Sequence, residues 1–216
     1  MKKMILINVI TIVVLVIIGV VGFHFYNQAT SYVSTDNAKV DGDQIKISAP
    51  ASGELKSFDA KENDDMKKGD KVASISAKSE SGGSPQTMDI KMPEDGTIVK
   101  TDGMKGSVAQ AGSPIAYAYN LDDLNVTANV DEKDIADVEK GKDVDIKVDG
   151  ENANLKGKVE QVGKATASSF SMMPSSNSDG NYTKVSQVVP VKIKLDSKPS
   201  KNVVPGMNAE VKIHKN

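Results

Sequence analysis

Few residues in this 216-residue chain have the types and spacing for chemistry. There are two histidines, His24 and His214, and no cysteine. The histidines stand near opposite ends, with no second ligand at helical or hairpin spacing, so neither a metal centre nor a Ser-His-Asp arrangement is expected. Without cysteine there are no disulfides, thiolate metal sites, thiol nucleophiles or lipid-bearing cysteine. The stretch SSNSDG at 175–180 faintly resembles a calcium loop, but it begins with Ser and has Ser186 where a bidentate Glu is required. Asp41-Gly42-Asp43 reads as a turn. No glycine-rich stretch follows a strand and opens a helix, so no nucleotide site is implied. No catalytic residue, metal site or cofactor site is expected, and the chain reads as a non-enzyme. One segment remains, KATASSFSMMPSSNSDGNYTK at 164–184, too long and too polar for a routine hairpin connection. Phe170, Met172 and Met173 form an apolar tip within it. They either fold back over a core or contact a partner or an apolar substrate. Two methionines are also soft ligands of the kind copper(I) takes.

The elements that carry this segment begin with a different material. From Met4 to Phe23 there is no charge, and Asn8 and Thr11 are the clearly polar side chains. About 20 residues at about 1.5 Å each span a hydrocarbon core of about 30 Å. Lys2 and Lys3 precede this run and the next lysine is Lys39, which places the amino terminus in the cytoplasm and the remainder outside. A cleaved signal peptide has a shorter apolar region ending in an A-x-A-like site. Neither is present, so residues 1–26 read as a retained anchor. The net charge of −2 gives no basic footprint for nucleic acid.

After a lead-in segment and first strand over 27–44, one phrase occurs twice. KISAPASGEL and DIKMPEDGTI share I-x-x-P-x-x-G-x-[LI], pairing Ile47 with Ile90, Pro50 with Pro93, Gly53 with Gly96 and Leu55 with Ile98. Gly69 and Gly112, then Val72 and Ile115, continue the match. Residues 45–76 and 88–119 are therefore two copies of one unit, joined by the loop AKSESGGSPQT at 77–87. Two copies make a duplicated domain and not a solenoid. Each copy reads as short strands with a single apolar face, so the two are expected to pack face to face and share one core over 45–120.

Residues 121–216 read as strands with one short helix. Leu124, Val126, Ala128 and Val130 alternate. Asp131 is placed to cap a helix carrying Ile135 and Val138, with Gly141 at its C-terminal end. Val144, Ile146 and Val148 lead to an Asp149-Gly150 turn. Leu155, Val159 and Val162 follow, then a long run from Val185 to Leu195 in which Pro190 suggests an edge or bulge. Pro205-Gly206 turns into Ala209, Val211 and Ile213. Five or six such strands suggest a small barrel.

The paired units resemble the lipoyl/biotinyl hammerhead, or barrel-sandwich hybrid, fold. Carriers of that fold present a lysine in the central turn. Lys78 lacks the flanking hydrophobics and Lys91 comes after the turn, so the carrier reading lacks its residue. The opening STDNAKVDGDQIKISAPASGEL resembles HlyD/EmrA-type membrane fusion proteins. So do LDDLNVTANVDEKDIADVEKGKDVDIKVDG, FSMMPSSNSDGNYTKVSQVVPVKIKL and VVPGMNAEVKI, in order and spacing. The resemblance implies a mainly β chain with an N-terminal transmembrane helix, a lipoyl-like domain and a β-barrel domain. It implies an extracytoplasmic efflux adaptor, oligomeric, beside an EmrB-like transporter of the major facilitator (MFS) type that exports apolar compounds. The long α-helical hairpin of the family is missing. Eleven residues stand in its place, reaching on the order of 20 Å, so no outer-membrane duct is expected and a single-membrane bacterium fits better. The alternative is an anchored extracellular binding protein without a transporter.

Overall fold

The computed structural model describes residues 2–77, 85–151, 154–170 and 187–215. A helix, α1 (Lys2–Ser31), leads directly into the first strand, β1 (Tyr32–Asp41). Side chains of α1 are described from Ile10 to Phe23, and the large apolar ones among them are exposed on every side. Among the described residues no helix is long and apolar enough to cross a membrane.

The chain divides into two compact units. One is the duplicated sandwich. Its first copy supplies β2 (Gln44–Ser48), β3 (Gly53–Phe58), β4 (Asp65–Met66) and β5 (Lys71–Ala77). Its second supplies β6 (Gln86–Lys91), β7 (Gly96–Thr101), β8 (Val108–Ala109) and β9 (Pro114–Tyr119). The copies do not pack as two separate sheets. The sheet orders are β2-β9-β7-β4 and β6-β5-β3-β8, so each sheet mixes strands of both copies. The physical reason lies in the backbone. The Gly69 N–H donates to the Met92 carbonyl (2.9 Å), and its counterpart Gly112 donates to Ala49 (2.8 Å). Leu55 donates to Ser107 as Ile98 donates to Asp64, both at 2.9 Å. Each copy thus satisfies orphan peptide groups of the other, which a face-to-face packing of complete sheets would leave unpaired. The shared core is real: Ile47, Leu55, Val72 and Ile75 of one copy are buried in one cluster with Ile90, Met92, Ile98 and Ile115 of the other.

Short strands follow from the repeated punctuation. Gly69 (φ +93°) and Gly112 (φ +79°) sit in the left-handed region that closes each unit. Gly53 and Gly96 are needed for a different reason. A Cβ on Gly53 would lie 2.2 Å from the Ser76 carbonyl oxygen, and one on Gly96 would lie 3.0 Å from that of Tyr119.

The other unit is a closed six-stranded barrel, ordered β1-β10-β13-β12-β11-β14. Its later strands are β10 (Asn125–Asp131), β11 (Asp143–Val148), β12 (Asn154–Val162), β13 (Val188–Leu195) and β14 (Asn208–His214). Alternate Val, Ile and Ala side chains of these strands are buried, as in a small barrel filled by its own residues. Two expectations change here, and the strand expected in the lead-in joins the barrel. The lead-in segment is a barrel strand, β1, pairing with β14 from Tyr32↔His214 to Lys39↔Asn208. The helix expected after Asp131 is only a 3-10 turn, Ile135–Asp137, preceded by Asp134, whose side chain caps nothing. Val138 is already extended (φ −106°, ψ 118°) because the chain must enter β11. Pro190 marks no edge, since the barrel is closed, and the neighbouring irregularity falls in β12 between Val159 and Gln161.

Candidate functional site

The strand registers fix which barrel end carries α1. Tyr32, the residue after α1, faces His214 at the end of β14. Val144, near the start of β11, faces Ile213. Asp143 faces Lys158, beyond which β12 runs on to Val162. Val162 faces Val191, near the start of β13. The β12–β13 connection, residues 163–187, therefore leaves the barrel from the end at which α1 enters. Its roots are pinned. Gly163 donates to the Pro190 carbonyl (2.8 Å), and Glu132 donates to the Gln187 carbonyl (2.9 Å).

This connection holds the candidate contact residues. Phe170 closes a 3-10 turn, Ala167–Phe170, and its side chain is outside the described residues. Met172 and Met173 lie outside them too, as does the 175–180 stretch. The root opens on a hollow lined by Val138, Glu139, Lys140, Gln161, Lys164 and Lys192. An open, mixed-charge hollow of this kind suits contact with a surface better than enclosure of a small ligand.

A backbone hydrogen bond ties the end of α1 to the barrel, beside a polar cluster of barrel residues. The Lys215 N–H donates to the Ser31 carbonyl at 2.8 Å, carrying the β14 ladder up to the helix. The Lys215 ammonium meets Asp137 at 2.8 Å. The His214 ring lies edge-on to Tyr32, 4.7 Å between centroids, with Nε2 2.9 Å from Asp145 Oδ2. Spacing along the sequence could not reveal this group, because Asp145 meets His214 only through the β11–β14 register. Lys158 hydrogen-bonds Asp143, which holds that carboxyl below the usual carboxylate range and the ammonium above its own.

Lys91 faces Lys71 at the end of β6 remote from the central turn, and Lys78 lies outside the described residues. Among the described residues no group of three or more His, Asp or Glu side chains could hold a metal ion.

A barrel-sandwich hybrid joined to a six-stranded barrel defines a class of extracytoplasmic adaptor architecture, and comparison with known proteins gives the same class. Residues 43–120 match the YhbJ barrel-sandwich hybrid domain. Residues 123–214 match the AAEA-like β-barrel domain. "Putative efflux system component YhbJ" of Bacillus subtilis (strain 168) is 48% identical over 98% of this chain and 92% of its own length. The multidrug export protein EmrA of Haemophilus influenzae is 31% identical over 51% of this chain but only 29% of its own. The solved periplasmic adaptor protein EmrA shares the fold at 12% identity and a TM-score of 0.56, over 86% of this chain and 99% of that one. The chain belongs to the membrane fusion protein family of EmrA- and YhbJ-type efflux components. Only eight residues separate β5 from β6, too few for the paired helices that the family resemblance leads one to expect there.

Proposed function

We propose that this chain is a single-pass, membrane-anchored adaptor that stands outside the cytoplasmic membrane beside an MFS-type transporter and aids export of apolar compounds. Its role is scaffolding and not catalysis, with several copies forming a collar. The observation that carries this is the shared barrel end: α1 and the Phe170-Met172-Met173 connection leave from the same side.

An anchor reading of α1 has physical support. The side chains described in α1, residues 10–23, are too short a stretch to span by themselves, but the whole helix of thirty residues at about 1.5 Å each is about 45 Å long. Its described apolar side chains face outward all round, the pattern of a helix whose solvent is lipid. The lysines at positions 2 and 3 favour a cytoplasmic amino terminus. With the anchor in the bilayer, the roots of the connection at Gly163 and Gln187 lie at the barrel end nearest the membrane, within reach of a transporter's outer face. The short β5–β6 link favours a single-membrane cell with no outer-membrane duct to reach.

Mild detergent extraction of the full chain from its native membrane tests the reading. A polytopic transporter is expected to co-purify, and deletion of the chain is expected to lower tolerance to drugs or fatty acids. Recovery of the chain alone, with unchanged tolerance on deletion, would favour an anchored binding protein instead.

A further inference from the structure

No residue separates the helix from the barrel. α1 ends at Ser31, and strand pairing begins at the next residue, with Tyr32↔His214. A helix leaves its last carbonyls without partners inside itself. Here the Ser31 carbonyl accepts the Lys215 N–H at 2.8 Å, so the β1–β14 ladder runs one residue into the helix. Tyr32 and Lys215, which hold Ser31 from either side, are themselves held by other elements of the barrel. Tyr32 packs edge-on against His214, whose Nε2 lies 2.9 Å from Asp145 of β11. The Lys215 ammonium meets Asp137 of the 3-10 turn at 2.8 Å. With 27% of its side chain exposed, Lys215 is the least exposed cation of the described ion pairs and the least screened. α1 and the barrel accordingly fall in one compact unit. The apolar run of α1 stops at Phe23, but the helix continues over residues 24–31, about 12 Å further. The headgroup layer on one side of a bilayer is about 5–8 Å deep.

We infer that α1 and the barrel move as one rigid body, a stalk that fixes the height and tilt of the barrel end, and not a tether on which the barrel swings. This rests on the anchor reading of α1 given above. With α1 in the bilayer, its last two turns lift the joint just clear of the headgroups. A hinge would have to open at the Ser31–Tyr32 step. Opening it strains the Lys215–Ser31 bond, and the cluster around His214 and Asp137 resists the shift of either neighbour. A tilt that a partner imposes on α1 within the bilayer is therefore passed on to the roots of the 163–187 connection, Gly163 and Gln187. A loose tether would lose it. The partner this device fits is an integral membrane protein whose helices tilt as it works, because the stalk carries that motion out to the barrel end.

The chain has no cysteine, so a pair of spin labels can be placed without background. Full chain carrying Val16→Cys in α1 and Lys194→Cys on β13, both exposed positions, is labelled and reconstituted in lipid nanodiscs. Pulsed electron–electron resonance is expected to give one narrow distance distribution. Inserting Gly-Ser-Gly between Ser31 and Tyr32 should broaden it by roughly 10 Å, the reach of three flexible residues. Lys215→Pro removes both the N–H and the ammonium while leaving the strand pairs from Tyr32↔His214 onward, and should broaden the distribution about twofold. A parent distribution as broad as that of the insertion variant overturns the rigid joint. A Lys215→Pro distribution as narrow as the parent's overturns the part given to Lys215. In cells, both variants at parental abundance should lower drug tolerance toward the level of the deletion strain. Lys215→Pro carries this arm if the insertion variant is not retained in the membrane. Full tolerance in the variants overturns the transmission and makes α1 a tether. If deletion itself leaves tolerance unchanged, the adaptor reading fails, and the label distances decide the joint by themselves.

Discussion

Gly53 and Gly96 occupy the same place in the two copies, yet their surroundings make different demands. The Cβ of an alanine at 53 would sit 2.2 Å from a backbone oxygen, and backbone cannot give way as a side chain does. At 96 the nearest atoms are at 3.0 Å, one of them the mobile Cδ1 of Ile45. At 69 nothing lies within 4 Å, and the only obstacle is the positive φ. Gly53→Ala is therefore expected to destabilise by about 3 kcal/mol, and Gly69→Ala by about 1 kcal/mol. Gly96→Ala is expected to fall between them, with urea unfolding as the measurement. The charged pair Asp143–Lys158 makes a contrasting case, because both groups are solvent-exposed and the pair is screened. Asp143 is depressed, so its contribution is present above the ordinary carboxylate pKa of about 3.9 and lost only as pH falls through the lower folded value. Lys158 is raised, so its contribution is present below about 10.4 and lost as pH climbs past the higher folded value. Asp143→Asn should consequently leave the shape of the stability curve flat between pH 6 and 9, as read by thermal midpoints.

At the scale of elements, β5 and β6 form a hairpin paired from Lys71↔Lys91 to Ala77↔Gln86. Its register is set by the buried Ile75 and Ile90 and not by its turn. Doubling the eight-residue link with Gly and Ser should then cost only about 0.6 kcal/mol in loop closure. A loss much larger than that in chemical denaturation would show that the link packs on the sandwich. The same hairpin shows what could be read in advance. The twofold phrase located both copies and their common core, because Ile47, Leu55, Ile90 and Ile98 are core residues wherever the strands go. It could not show the exchange of strands between sheets, since alternation reports which face a residue takes and not which strand lies beside it. Similar physics explains β1. Its polar run Ser34-Thr35-Asp36-Asn37 hides the alternation where the strand bulges between Thr35 and Ala38. The Thr35 hydroxyl donates to the Asn129 carbonyl there, a pairing 94 residues distant that no local pattern announces. Likewise Asp131, Ile135, Val138 and Gly141 have helical spacing, but a chain already committed to two barrel strands leaves room for one 3-10 turn.

For the whole molecule, the decisive geometry is the coincidence of α1 and the roots of the 163–187 connection at one barrel end. The sequence could mark Phe170, Met172 and Met173 as an apolar tip but could not say which way it points. Registers running from Tyr32 through His214, Val144, Lys158 and Val191 place the roots of its connection, Gly163 and Gln187, at the barrel end where α1 enters. If the tip works at the membrane plane, its apolar character matters for contact and not for holding the barrel together, whose described core includes Val126, Val144, Val191, Ile193 and Ile213. Replacing Phe170, Met172 and Met173 together by alanine should then leave thermal stability of the purified chain within about 1 kcal/mol of the parent. Transporter co-purification and drug tolerance should fall toward the level of the deletion strain. A core role predicts the reverse: loss of three large buried side chains would cost several kcal/mol, and the variant would be depleted from the membrane before any transport defect could be assigned. Measuring abundance, unfolding midpoint and tolerance on the same variant separates the two. A stable, abundant, fully active triple variant would leave the tip with neither role and move the search for the transporter contact to the hollow beside Lys140 and Lys164.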